Sequence, residues 1–217
     1  MEIITRDITS TNWITIVMLI CLALLATARL ANTVRFSEFL LLFNTNKYIF
    51  VHQKGSKLST IFNGILMLVQ VLSVSLLIYI CFEVLNWQKE TINMILFLKI
   101  ATFYLVVLVC KMLVEKIVAT IFSIEPIIEE YLFYKISYRN FMGMLLLPLH
   151  LVFFYTIKPT AIILFIILGL LLLSNLIMLF FIYRKNEKII LNNLFYFILY
   201  LCALEIAPYF ILYKIII

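Results

Sequence analysis

Polar residues interrupt this chain only at wide intervals, and between them run apolar stretches of about 20 residues, the length a helix needs to cross a hydrocarbon core of roughly 30 Å. Such stretches cover residues 12 to 33, 60 to 84, 92 to 115, 139 to 157, 160 to 183 and 191 to 214. Their apolar positions are continuous rather than alternating, so they predict helices and not barrel strands. The expected fold is all-α: a polytopic membrane helix bundle of six transmembrane helices, forming one domain over residues 1–217.

Two connections carry patterns of their own. From Phe36 to Val51 the apolar segments on either side of Asn44-Thr45-Asn46 are too short to span. They predict an interfacial helix followed by a lip of chain, in preference to a shallow re-entrant hairpin, because re-entry buries backbone polar groups unless protein covers them. The second pattern begins at Pro126, a residue well tolerated one step inside a helix start, with Glu125, Glu129 and Glu130 near the positive end of the helix dipole. Ile127, Ile128, Tyr131, Leu132 and Tyr134 form one apolar side there, which predicts an amphipathic surface helix leading into span four. Trp13, Trp87, Tyr138 and Tyr155 mark span ends, as interface anchoring predicts.

Composition agrees with the pattern. The chain is 65% hydrophobic and 13% charged, with a mean hydropathy of +1.15, whereas soluble domains are about half apolar and about a quarter charged. Charge then adds orientation. Arg29, Arg35, Lys47, Lys54 and Lys57 follow span one, Lys111, Lys116, Lys135 and Arg139 surround the connection after span three, and Arg184, Lys185 and Lys188 follow span five. The opposite side holds only Arg6, Lys89, Lys158 and Lys214. Twelve cations against four place the basic connections in the cytoplasm and both termini outside. The net charge of +6 is therefore read as topology and contact with anionic lipid, not as a nucleic-acid surface. Ala26-Thr27-Ala28 imitates a signal-peptidase site, yet the cations follow the apolar stretch instead of preceding it, so span one is read as retained.

Cofactor chemistry finds no motif. Cys21, Cys81, Cys110 and Cys202 have neither metal-knuckle nor redox spacing and are read as packing residues. Of the two histidines, His52 lies in a connection and His150 in span four, so a second intramembrane axial ligand for haem is missing. No cofactor, no metal and no catalytic residue are expected. Four glycines and no small-xxx-small run argue against tight right-handed helix crossings.

The candidate site is a set of ionisable groups inside spans. Lys99, His150 and Glu205 fall at a shared depth, roughly 10 to 14 Å beneath the outer boundary at 1.5 Å per residue. A charge in a span costs roughly 2.5 to 3.5 kcal/mol on insertion scales, so the three are expected to converge in the bundle interior. They form either a structural knot or a proton relay, with Pro148 and Pro208 breaking helices nearby and leaving carbonyls free. Asn63, Gln70 and Asn175 are expected to bond between helices, and Lys111 with Glu115 to form a helix-surface pair.

The stretch from Phe195 to Pro208, ending in Leu212-Tyr213-Lys214, together with Arg139-Asn140-Phe141-Met142-Gly143 and Leu147-Pro148, resembles a family of multi-spanning Bacteroidota membrane proteins, domain of unknown function 4271. The resemblance implies a location in the bacterial inner membrane and singles out Asn140, Gly143, Pro148, Glu205, Pro208 and Lys214. It implies neither a reaction nor a substrate.

Extramembrane parts are small, and no HExxH, GxSxG or comparable arrangement is present, so a lipid-modifying enzyme is the least favoured function. The expected role is a non-catalytic subunit or assembly factor of an inner-membrane complex, with the lipid bilayer and other membrane proteins as partners. The alternative is a small proton- or ion-coupled transporter built on the Lys/His/Glu cluster.

Overall fold

The computed structural model of the protein describes residues 12–43, 61–85, 94–121, 125–157 and 159–185. Helix α1 spans Asn12–Ala31, α2 Thr33–Leu40, α3 Ile61–Val84, α4 Met94–Ile121, α5 Glu125–Tyr155 and α6 Ala161–Lys185, with a 3-10 turn at Leu41–Phe43. Among the described residues no strand occurs, and the fold is all-helical. Four segments, Asn12–Ala31, Ile61–Val84, Met94–Ile121 and Tyr131–Tyr155, are long and apolar enough to cross a membrane. The expected sixth span, 191 to 214, lies outside the described residues.

Helix α3 is the axis around which the others are laid. It contacts α1, α4, α5 and α6, most extensively α5. Over half of its most apolar stretch is buried (56%), against 17% for α4. Helix α4 instead buries a single seam, Phe97, Ala101, Leu108, Glu115 and Ala119, spaced by fours and sevens, and leaves its other faces exposed. In α1 the seam is Ile14, Val17, Met18, Cys21 and Ala28, the same helical stripe.

Helices α3 and α5 run parallel to each other and antiparallel to α1 and α4. Near one end, Ala28 of α1, Phe62 of α3, Ala119 of α4 and Phe133 of α5 share an apolar cluster. Towards the other end, Trp13 packs edge-on against Tyr79 at 5.1 Å and beside Phe97 at 5.3 Å. The first end is also where Arg29, Arg35, Lys116 and Lys135 gather, although they come from different connections of the chain.

Two expectations are corrected here. The amphipathic helix starting at Pro126 is not a separate surface element, because α5 is continuous from Glu125 to Tyr155. No glycine or proline stands between Ile127 and Met142 to break it, and Tyr131, Leu132, Phe133 and Tyr134 are all buried, which a surface helix with one wet face does not allow. Tyr138 accordingly lies in the interior of a helix and not at a span end.

The chain leaves α1 at Asn32, whose backbone is extended (φ −159°) and whose side chain accepts a hydrogen bond from the Arg35 amide at 3.0 Å. That cap starts α2 and turns it back onto the bundle. Phe39 of α2 is fully buried, 5.9 Å from the Phe141 ring and 6.3 Å from Phe62. Phe36 to Val51 thus begins as a helix packed on protein, and its continuation from residue 44 lies outside the described residues.

Candidate functional site

Helix α3 carries Asn63, Gln70 and Ser73, and α5 carries Asn140, Gly143 and His150. Positions 63, 70 and 73 fall within about 80° of one another on a helix of 3.6 residues per turn, and positions 140, 143 and 150 do the same. Each set of three therefore lies along one stripe of its helix. The five polar members are all buried: Gln70, Ser73 and His150 at 0%, Asn140 at 2% and Asn63 at 6%.

Two contacts show that the stripes face each other. A Cβ built on Gly143 would meet the Gln70 Cα at 2.7 Å, so the glycine lets α5 rest directly on the α3 backbone. The His150 Nε2 lies 2.7 Å from the Ser73 carbonyl oxygen. A carbonyl only accepts, so Nε2 carries the hydrogen and Nδ1 is left as an acceptor. One glycine at the point of closest approach thus suffices to bring two helix backbones into contact.

Further polar groups tie this seam to its neighbours. Gln70 Nε2 donates to the Tyr104 hydroxyl of α4 at 2.6 Å. Arg35 of α2, 4% exposed, lies with its guanidinium 5.1 Å from the Phe62 ring centre and donates through Nη2 to Asn63 Oδ1 at 3.4 Å. Asn63 and Gln70 thus bond between helices as expected, whereas Asn175 is exposed and donates to its own helix at the Leu171 carbonyl.

The expectation of a surface pair at Glu115 is also corrected. This residue is 1% exposed, and it accepts from Lys135 Nζ of α5 at 2.7 Å. Lys135 in turn sits 5.1 Å from the Tyr131 ring. A buried carboxylate needs such a partner, and spacing along one helix does not reveal a cation that arrives from another.

Of the candidate trio, the structure places two. His150 is inside the α3–α5 seam, while Lys99 is exposed on the face of α4 opposite the seam of Phe97 and Ala101. These two side chains are not brought together. Glu205 and Pro208 lie outside the described residues. Pro148 is within α5 on its exposed side, where the missing N–H leaves the Met144 carbonyl without its helix partner. Sequence reasoning misses Ser73 and Tyr104 as site residues and singles out Asn140 only through the family resemblance, although the recurrence of polar residues at seven and three positions inside the apolar run of α3 is a readable signal.

Buried polar atoms without a hydrogen-bond partner among the described residues include Gln70 Oε1, Ser73 Oγ, Asn140 Oδ1, His150 Nδ1 and Asn63 Nδ2 on the two stripes, and Ser75 Oγ off them. Each such group costs about 1 to 3 kcal/mol when left dry. Among the described residues no three His, Cys, Asp or Glu side chains stand close enough to hold a metal ion.

An apolar helical bundle with these features is compatible with an integral membrane protein, and the comparisons add a family to it. The chain matches the family described as Domain of unknown function (DUF4271) over residues 14–216, and it belongs to that family. No curated protein and no solved structure matches it.

Proposed function

We propose that this DUF4271 family member is a non-catalytic subunit or assembly factor of a membrane complex, set in the bacterial inner membrane with six spans and both termini outside. One observation carries the reading: the buried polar side chains are largely used to fasten helix to helix. Gln70 to Tyr104 joins α3 and α4, Glu115 to Lys135 joins α4 and α5, His150 to Ser73 joins α5 and α3, and Arg35 to Asn63 joins α2 and α3. Interhelical bonds of this kind give a membrane bundle its register. The exposed side of α4, with Ile95, Leu98, Phe103, Val106, Leu113 and Ile117, offers an apolar surface to lipid or to another membrane protein.

Tagging the protein at its native level and extracting it in mild detergent tests this. Migration with other membrane proteins is the expected result. A stable, monodisperse particle holding this chain alone, whose melting temperature rises with a small solute, would move the assignment to a proton- or ion-coupled carrier. That second reading rests on His150, a fully buried imidazole with a bare Nδ1.

A further inference from the structure

We propose that Lys111, Lys135 and Arg139, with Arg35 behind them, hold the phosphate of an anionic lipid headgroup at the side of the bundle, where α4 meets α5. The inference is independent of the subunit reading. Two contacts fix the level of these cations. Glu115 of α4 pairs with Lys135 of α5, and the two helices are antiparallel, so one turn further into each sets Lys111 opposite Arg139. Gln70 of α3 bonds Tyr104 of α4, again antiparallel, so two turns along each set Asn63 opposite Lys111. Asn63 is the residue that accepts from Arg35. Cations from α2, α4 and α5 therefore share one level.

Summed charge at this level selects the ligand. Among the described residues four cations, Arg35, Lys111, Lys135 and Arg139, stand with two carboxylates, Glu115 and, on α2, Glu38, so two positive charges remain in excess with one cation assigned to each. Glu125, Glu129 and Glu130 lie nine or more residues, about 14 Å, back along α5 from Arg139. These cations have further contacts of their own, and it is the excess charge of the level, not a missing partner, that calls for an anion. An arginine fork can bond two phosphate oxygens at once, and a lysine adds a point charge beside it.

The place of the level points to a lipid as the source of that phosphate. Helix α3, long and apolar enough to cross a membrane, begins at Ile61, two residues or about 3 Å from Asn63. Helix α4 runs on ten residues past Lys111, and α5 starts fourteen before Arg139, so both project beyond α3 there. The cations thus stand at the edge of a hydrocarbon core, where headgroups lie. Lys111, Lys135 and Arg139 each keep part of their surface exposed, so the phosphate is met from the side and needs no cavity.

Native mass spectrometry of the full chain, released from micelles holding phosphatidylglycerol and phosphatidylcholine in equal amounts, tests the proposal. Both lipids carry a phosphate, but only the first has a net negative charge, so the chain should retain phosphatidylglycerol several-fold more often. Equal retention overturns the proposal, and the unaltered chain is enough to show it. Lys111→Gln with Arg139→Gln should bring the two lipids to parity, whereas Lys116→Gln, at an exposed position of α4, should leave the preference in place. A preference that survives the double change, or one lost equally in both variants, assigns the selection to surface charge elsewhere and overturns the site. Displacement of the lipid by inorganic phosphate added to the micelles would make free phosphate the anion and overturn the lipid as its source.

Discussion

Gly143 on α5 and the backbone of Gln70 on α3 touch with no space for a methyl group between them, a Cβ at position 143 lying 2.7 Å from Gln70 Cα and 2.8 Å from its Cβ and Cγ. This contact fixes the distance between the two helices, and with it the reach of the His150 bond to Ser73 seven residues further along α5.

Gly143→Ala should therefore destabilise the protein by about 1 to 3 kcal/mol, the usual cost of forcing a methyl into a filled core. The obstacle is backbone and cannot rotate away. At Gly64 and Gly169 an added methyl would meet nothing within 4 Å, so Ala there should be neutral or gain up to about 1 kcal/mol from helix propensity. Melting of the three purified variants in detergent checks the order, and equal losses at all three positions would remove the close approach as the cause.

Glu115 and Lys135 offer a second test. Glu115→Ala should cost about 3 to 5 kcal/mol because it leaves the largely buried Lys135 ammonium without its anion, while Glu115→Leu with Lys135→Leu should cost little. Lys116→Ala, at an exposed position beside them, should change stability by no more than about 0.5 kcal/mol. A double variant as unstable as the single one would mean that the pair is not the unit that matters.

What can be read from sequence follows from which signals are local. The starts and ends of α1, α3 and α6 are legible to within two residues because an apolar run of fixed length is itself the physical cause of the helix. Helix α5 reads as two elements because Glu129, Glu130 and Lys135 interrupt its apolar pattern, and a pattern of side chains does not reveal that the backbone continues through them. The Glu115–Lys135 pair joins residues 20 apart on two helices, while Lys111 stands four away on the same one; spacing suggests the local partner and packing supplies the distant one. His150 is legible as a costly buried group, but its partner is a backbone carbonyl, which every residue possesses and no residue type announces.

Orientation can be checked by labelling. The six-span arrangement with both termini outside predicts that single cysteines at positions 89 and 158, in a background lacking Cys21, Cys81, Cys110 and Cys202, react from outside with a reagent that cannot cross the membrane. Cysteines at positions 57 and 185 should react only after the membrane is opened. Reaction of 57 or 185 in sealed cells would invert the arrangement.

Lys99 is the charge that still needs an explanation. It projects from the side of α4 that also carries Ile95, Leu98 and Phe103, away from the seam that holds His150. On insertion scales a lysine at the centre of a span costs roughly 2.5 to 3.5 kcal/mol, less near an end where the ammonium reaches the headgroups. Lys99 is five residues from the start of α4, about 7.5 Å along its axis, so both a route to the headgroups and a carboxylate partner are within its means. Glu205 is the intramembrane carboxylate that the sequence places at the same depth. If the two are paired, Lys99→Leu and Glu205→Ala each leave one charge uncompensated and should each destabilise, with Glu205→Ala the more damaging because a carboxylate has no long stem with which to reach water. Combining Lys99→Leu with Glu205→Leu should then restore stability. Restored folding with restored function in that double variant identifies a structural tie, whereas restored folding with function still lost identifies a relay. A Lys99→Leu variant more stable than the parent would sink the pairing altogether, because it would mean that removing the charge relieves a cost that no partner had been offsetting.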